Sequence, residues 1–149
     1  MRSRMRGVVR GLILVATVAM VGCKVVPHGA VVADVNPRGW EHEEVVTLRY
    51  ENTDTTSSSS INIVARREYG KEATPLAVRV RVCAPDSAEV NDVVLLPTRG
   101  TKGGGSFEEV EVLWVENARL QAGEYRFFLS PQEPIKGLWN VGVEIENRE

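Results

Sequence analysis

The chain has 149 residues, 18 Lys and Arg against 20 Asp and Glu, and 43% hydrophobic residues. That is one domain with enough apolar content for a core, and a charge balance that excludes a nucleic-acid binder relying on bulk positive charge. Two cysteines and two histidines exclude a cysteine-rich zinc site and a multi-disulfide scaffold.

The N-terminus reads as an export signal. Arg2, Arg4, Arg6 and Arg10 form a basic region, and Gly11 to Val21 is an apolar run too short for a stable membrane-spanning helix. Met20-Val21-Gly22-Cys23 resembles a bacterial lipobox, in which a small residue precedes a cysteine that is lipidated and becomes the new N-terminus. The expected division is a signal peptide over 1–22, a lipidated Cys23 with a tether over 23–38, and a domain over 39–149. From Cys23 onward 14 basic residues face 20 acidic ones, a net charge of -6. Anionic headgroups repel such a domain, so the lipid on Cys23 is what holds it at a membrane. The bland alternative is an ordinary secreted protein cleaved after Thr17-Val18-Ala19.

Residues 24–38 hold Pro27 and Pro37 and show no amphipathic period, and are expected to turn into a lead-in strand near the domain. From Trp40 the pattern has period two: 45–50, 61–66, 76–83, 110–114, 125–129 and 139–145 each alternate between two faces, and 90–96 is a further apolar strand stopped by Pro97. Polar residues 51–60, Pro85-Asp86, the glycine-rich 98–106, Gln121-Ala122-Gly123 and 131–137 separate them as turns and loops. No window after the signal reads as a good helix, with one turn conceivable at 117–122. The fold class is therefore all-β: an antiparallel sandwich of about seven to eight strands, immunoglobulin-like or jelly-roll-like.

Chemistry is sparse. Glu41-His42-Glu43-Glu44 lacks convergence, because neighbouring strand residues point to opposite faces. The serines sit in a loop without a nucleophile-elbow context, and Cys83 reads as a small half-buried residue. Gly103-Gly104-Gly105 lacks the spacing of a phosphate loop. The expectation is no catalytic residue, no metal, no cofactor and no small-molecule substrate. Arg66, Arg79 and Arg81 make one basic stripe if 61–67 pairs with 76–83. Glu109, Glu111, Glu144 and Glu146 make an acidic one; each is either cross-strand pairing or a docking face. Trp114 and Trp139 fall in phase with core residues. Trp40 stands apart as a candidate contact, with packing as a lid on the sandwich the safer reading.

Several features in order resemble one family: the lipobox at Cys23, Gly39-Trp40, Val46 and Leu48, Leu76-x-Val78-x-Val80, Pro85-Asp86, Leu120 to Phe127 (LQAGEYRF), Pro134-x-x-Gly137, and Val141-Gly142-x-x-Ile145-Glu146. They look like the GldH gliding-motility lipoproteins of Bacteroidetes. The resemblance implies an envelope lipoprotein accessory to the gliding and type 9 secretion machinery, with no assigned catalytic residue. Lys24 follows Cys23 with no acidic cluster behind it, which by analogy places the domain on the periplasmic side of the outer membrane. The implied partners are the membrane, through Cys23, and envelope proteins, with Trp40, Arg66, Arg79 and Arg81 as possible contacts. The competing reading is a surface glycan-binding sandwich.

Overall fold

A computed structural model describes residues 29–68, 76–97, 102–104 and 107–148. The expected signal peptide over 1–22 and Cys23 lie outside the described residues. Among the described residues nine strands form two antiparallel sheets: β1 (Ala30–Asp34), β2 (Val46–Asn52), β3 (Ser58–Glu68), β4 (Leu76–Cys83), β5 (Glu89–Leu96), β6 (Lys102–Gly104), β7 (Phe107–Ala118), β8 (Gly123–Pro131) and β9 (Leu138–Arg148). One sheet runs β1-β9-β3-β7-β6 and the other β2-β8-β4-β5. Most chain-consecutive strands sit in different sheets, so among the described strands only β4–β5 and β6–β7 are hairpins.

The alternation seen in the sequence is the packing code. Ile61, Ile63 and Ala65 of β3 and Val141, Val143 and Ile145 of β9 meet Val78, Val80 and Val82 of β4 and Tyr125, Phe127 and Leu129 of β8 in one buried cluster. Burying a Val, Leu or Phe side chain contributes roughly 1.5–3 kcal/mol, so this shared interior is the main stabilising term.

Three expectations shift. Ser58–Ser60 are not loop: they open β3, with Ser59 and Ser60 buried against β9 and Ser59 Oγ donating to Asn147 Oδ1 at 2.8 Å. The lead-in strand expected within 24–38 is β1, which lies along β9 and starts at Ala30, ahead of the domain start expected at residue 39. Asn117–Ala122 makes no helical turn; Asn117 is left-handed (φ 58°) where β7 ends. That conformation costs Asn less than most residues.

The end of the sandwich carrying Gly29 is tightly knit. Asn52, 1% exposed, donates from Nδ2 to the carbonyls of Asp54 and Gln121, both at 2.9 Å. The Tyr125 hydroxyl accepts the Gln121 N–H at 2.8 Å, the arrangement of a tyrosine corner. Gln121 Nε2 in turn reaches Asp86 Oδ2 in the β4–β5 turn at 2.9 Å.

Candidate functional site

Of the residues singled out from the sequence, Trp40 is not on the surface. It is 1% exposed, exchanges backbone hydrogen bonds with Ile135 at 2.8 and 3.0 Å, and donates from Nε1 to the Glu44 carbonyl at 2.7 Å. It closes the end of the sandwich opposite Gly29, which is the lid role and not the contact role.

The three arginines do not form one stripe, because β3 and β4 belong to different sheets. Arg66 lies on the outer face of the five-stranded sheet, where Nη2 meets Glu109 Oε2 at 3.0 Å. Arg81 lies on the outer face of the other sheet, 4.1 Å above the Phe128 ring and 3.4 Å from Glu89 Oε2. Arg79 is exposed beside it, lining with Asn91, Val93 and Ser130 a shallow groove of about 490 Å³. The acidic residues do gather. Glu111 and Glu144 flank Asn62, whose Nδ2 donates to both carboxylates at 3.4 and 3.3 Å. This is cross-strand satisfaction of a buried amide.

His42 and Glu43 are well exposed and meet each other at 3.4 Å. No group of three or more His, Cys, Asp or Glu among the described residues is placed to hold a metal. Cys83 is a free, half-buried thiol next to Arg81 and Glu89.

Both Trp139 and Trp114 sit at bulges; Trp139 departs from the expected core phase, while Trp114 keeps to it, partly buried and packed against the core. Between Leu138 and Asn140 the register against β3 shifts by one residue. Leu138 therefore turns inward, at 0% exposed, and Trp139 turns outward, at 40%. Its ring makes an edge-to-face contact with Phe107 at 5.5 Å, and Nε1 donates to Glu68 Oε1 at 3.3 Å. In β7 a similar shift opposite Ile61 and Asn62 makes Trp114 the extra residue. Its indole swings towards the other sheet, and Nε1 donates to Asp92 Oδ2 at 2.8 Å.

That bond crosses the open side of the sandwich, a feature that sequence reasoning missed. β5 is the terminal strand of its sheet, and β6 covers only Phe107–Glu109 of β7. Val90, Val93 and Leu95 of β5 and Leu113 of β7 are all more than two-fifths exposed there. Exposed apolar residues are ordinary singly; Val93 and Leu95 share the outer face of their sheet with Arg79, Leu113 lies on the outer face of the other sheet beside Asn62, and what these places have in common is an outer strand edge that no described strand pairs. The Asp92 carboxyl is held below the usual carboxylate range, first by the Trp114 indole and then by the Val93 N–H.

No protein-family model matches the chain, and no curated protein matches it. Among solved structures, one titled "Family 16 Carbohydrate Binding Module-2" aligns over 74% of each chain at 10% identity, with a TM-score of 0.27.

Proposed function

We propose that this chain is a non-enzymatic, lipid-anchored envelope protein, similar to the GldH gliding-motility lipoproteins, that works by docking envelope proteins onto its sandwich. The observation that carries the reading is the ordered run of four arginines, an eleven-residue apolar stretch and Gly22-Cys23. Six residues separate Cys23 from β1. Fully stretched they reach about 20 Å, at roughly 3.4 Å per residue. Lipid on Cys23 therefore holds the Gly29 end of the sandwich towards the bilayer and leaves the flanks, with their open strand edges, free for partners. Confinement to the membrane raises the local concentration of partners there.

The test is metabolic labelling with a fatty-acid analogue, comparing the wild-type chain with Cys23→Ala. Label on the first and none on the second is the expected result; an unlabelled wild-type chain overturns the anchor. Co-purification from detergent-solubilised membranes then checks the docking role, and a deletion strain with normal motility and secretion counts against it.

A glycan-binding module is the second reading, and one observation favours it. The exposed indole of Trp139, beside Phe107 and with Arg66 and Glu68 within reach of the same rings, is an aromatic face with polar neighbours on which a sugar ring can stack. A glycan array with wild type and Trp139→Ala separates the readings: the protein-docking reading expects no glycan signal from either.

A further inference from the structure

We infer that β5 is a strand-addition edge, and that its partner is an extended segment of another protein carrying a Lys or Arg opposite Asp92 and apolar side chains opposite Val93 and Leu95. The inference deepens the docking reading and rests on it. Backbone direction comes first. Ala84 N–H bonds to Ala88 O in the turn, and Gln132 N–H bonds to Ala77 O on the β8 side. Even-numbered residues of β4 therefore face β5, and through the pairs Val78–Val94, Val80–Asp92 and Val82–Val90 the even-numbered residues of β5 face β4. The N–H and C=O groups of Glu89, Asn91, Val93 and Leu95 point away from the sheet.

The Val93 N–H confirms the parity. It bonds not to β4 but to the Asp92 side chain, at 2.8 Å. Edges that must stay unpaired usually carry Lys, Pro or a bulge; β5 has none of these over its eight residues. Its one guard is Asp92, which occupies the middle N–H while held by Trp114. An added strand displaces that carboxylate from Val93, and a cation on the incoming strand gives it a new partner.

Charge selects the occupant. The edge carries Glu89 and Asp92, and the chain from Cys23 onward has a net charge of -6. A second copy brings the same acids to the edge, whereas a strand with a basic residue on the Asp92 face complements that carboxylate; Glu89, three residues away, points to the other face, where Arg81 already meets it.

The probe is a fluorescein-labelled peptide, Leu-Ala-Val-Arg-Val-Arg-Val, the sequence of residues 76–82, with Ala and both arginines on one face and Leu and Val on the other. Fluorescence anisotropy is read with the full chain purified in detergent, against empty micelles. Saturable binding is expected, weakened at least tenfold when both peptide arginines become Glu, and at least tenfold by Val93→Pro or Leu95→Pro. Each proline removes an outward N–H and leaves the β4 ladder intact, which near-UV circular dichroism checks; the Glu peptide tests the inference without any variant. No binding by the wild-type chain, or equal binding of the Glu peptide or by folded proline variants, overturns it. So does self-association in sedimentation that Val93→Pro abolishes, since the occupant is then a second copy. Peptide binding is expected unchanged in Cys23→Ala, so failure of the anchor and failure of the edge are read separately.

Discussion

The indole of Trp114 and the carboxylate of Asp92 meet at 2.8 Å and tie the two sheets together at the flank where both end. The bulge in β7 is what aims the indole there, and the Val93 N–H shares the same carboxylate. Trp114→Phe removes the first of these donors. The Asp92 carboxyl titration, followed by carbon NMR, is expected to move up towards the ordinary value of about 3.9.

Asp54 and Asp86 are held low as well. Asp54 is held low by the Ser57 hydroxyl first and then by the Ser57 and Thr56 N–H groups, and Asp86 accepts from the Gln121 amide and the Ala88 N–H. A carboxyl depressed in the folded state stabilises it fully above the unfolded pKa, and that contribution is lost as pH falls through the folded one. Thermal midpoints are therefore expected to be flat down to about pH 5 and to fall below about pH 4, where the unfolded carboxyls begin to titrate. The fall is expected to be shallower in Asp54→Asn. A midpoint that rises on acidification contradicts this.

Gly142 fixes the close approach of β1 to β9. A Cβ there runs into the Val31 carbonyl oxygen and sits 2.5 Å from Val32 Cγ1. Backbone cannot yield as a side-chain tip does, so Gly142→Ala is expected to cost about 1–3 kcal/mol, as overpacking does. Loss of amide protection confined to β1 and its β9 partners, in hydrogen exchange, is the check. If Cys23 is lipidated, this variant also lengthens the leash by the residues of β1.

Tyr125→Phe keeps the ring in the core and deletes only the hydroxyl that accepts the Gln121 N–H. One neutral hydrogen bond is worth about 1 kcal/mol, more if the freed N–H stays dry. The expected loss in chemical denaturation is therefore about 1–2 kcal/mol, with an unchanged slope.

Period two made the sandwich legible, because both sheets bury one face and each strand repeats that bias residue by residue. The sequence could not show where the period slips. At Trp139 a single unpaired residue inverts the phase, and nothing local marks it: Leu138 and Trp139 are equally apolar. Arg66 and Arg79 are separated for a different reason. Pairing is non-local, and a chain that changes sheet between β3 and β4 leaves the same alternating pattern as one that makes a hairpin. The serine run misled because polarity reads as loop, while here β9 satisfies the hydroxyl of Ser59 inside the sheet. The open flank was hidden in plain pattern: Val90 to Leu96 reads as a buried strand, and only the sheet order shows that no described strand covers its outer edge.

Trp40 separates structural loss from functional loss. Its indole is among the largest fully buried side chains, its Nε1 is satisfied by Glu44, and its backbone pairs with Ile135, so it stitches 40–44 to 131–138. Removing it leaves a cavity that this lid cannot close, and Trp40→Ala is expected to cost about 3–5 kcal/mol. Trp139→Ala removes a ring that is two-fifths exposed, and is expected to cost well under half as much. Urea midpoints of the two variants check the ordering. If Trp40→Ala unfolds as late as wild type, the lid is not packed as described; if it unfolds early, any binding lost by that variant reports on folding and not on a contact at residue 40.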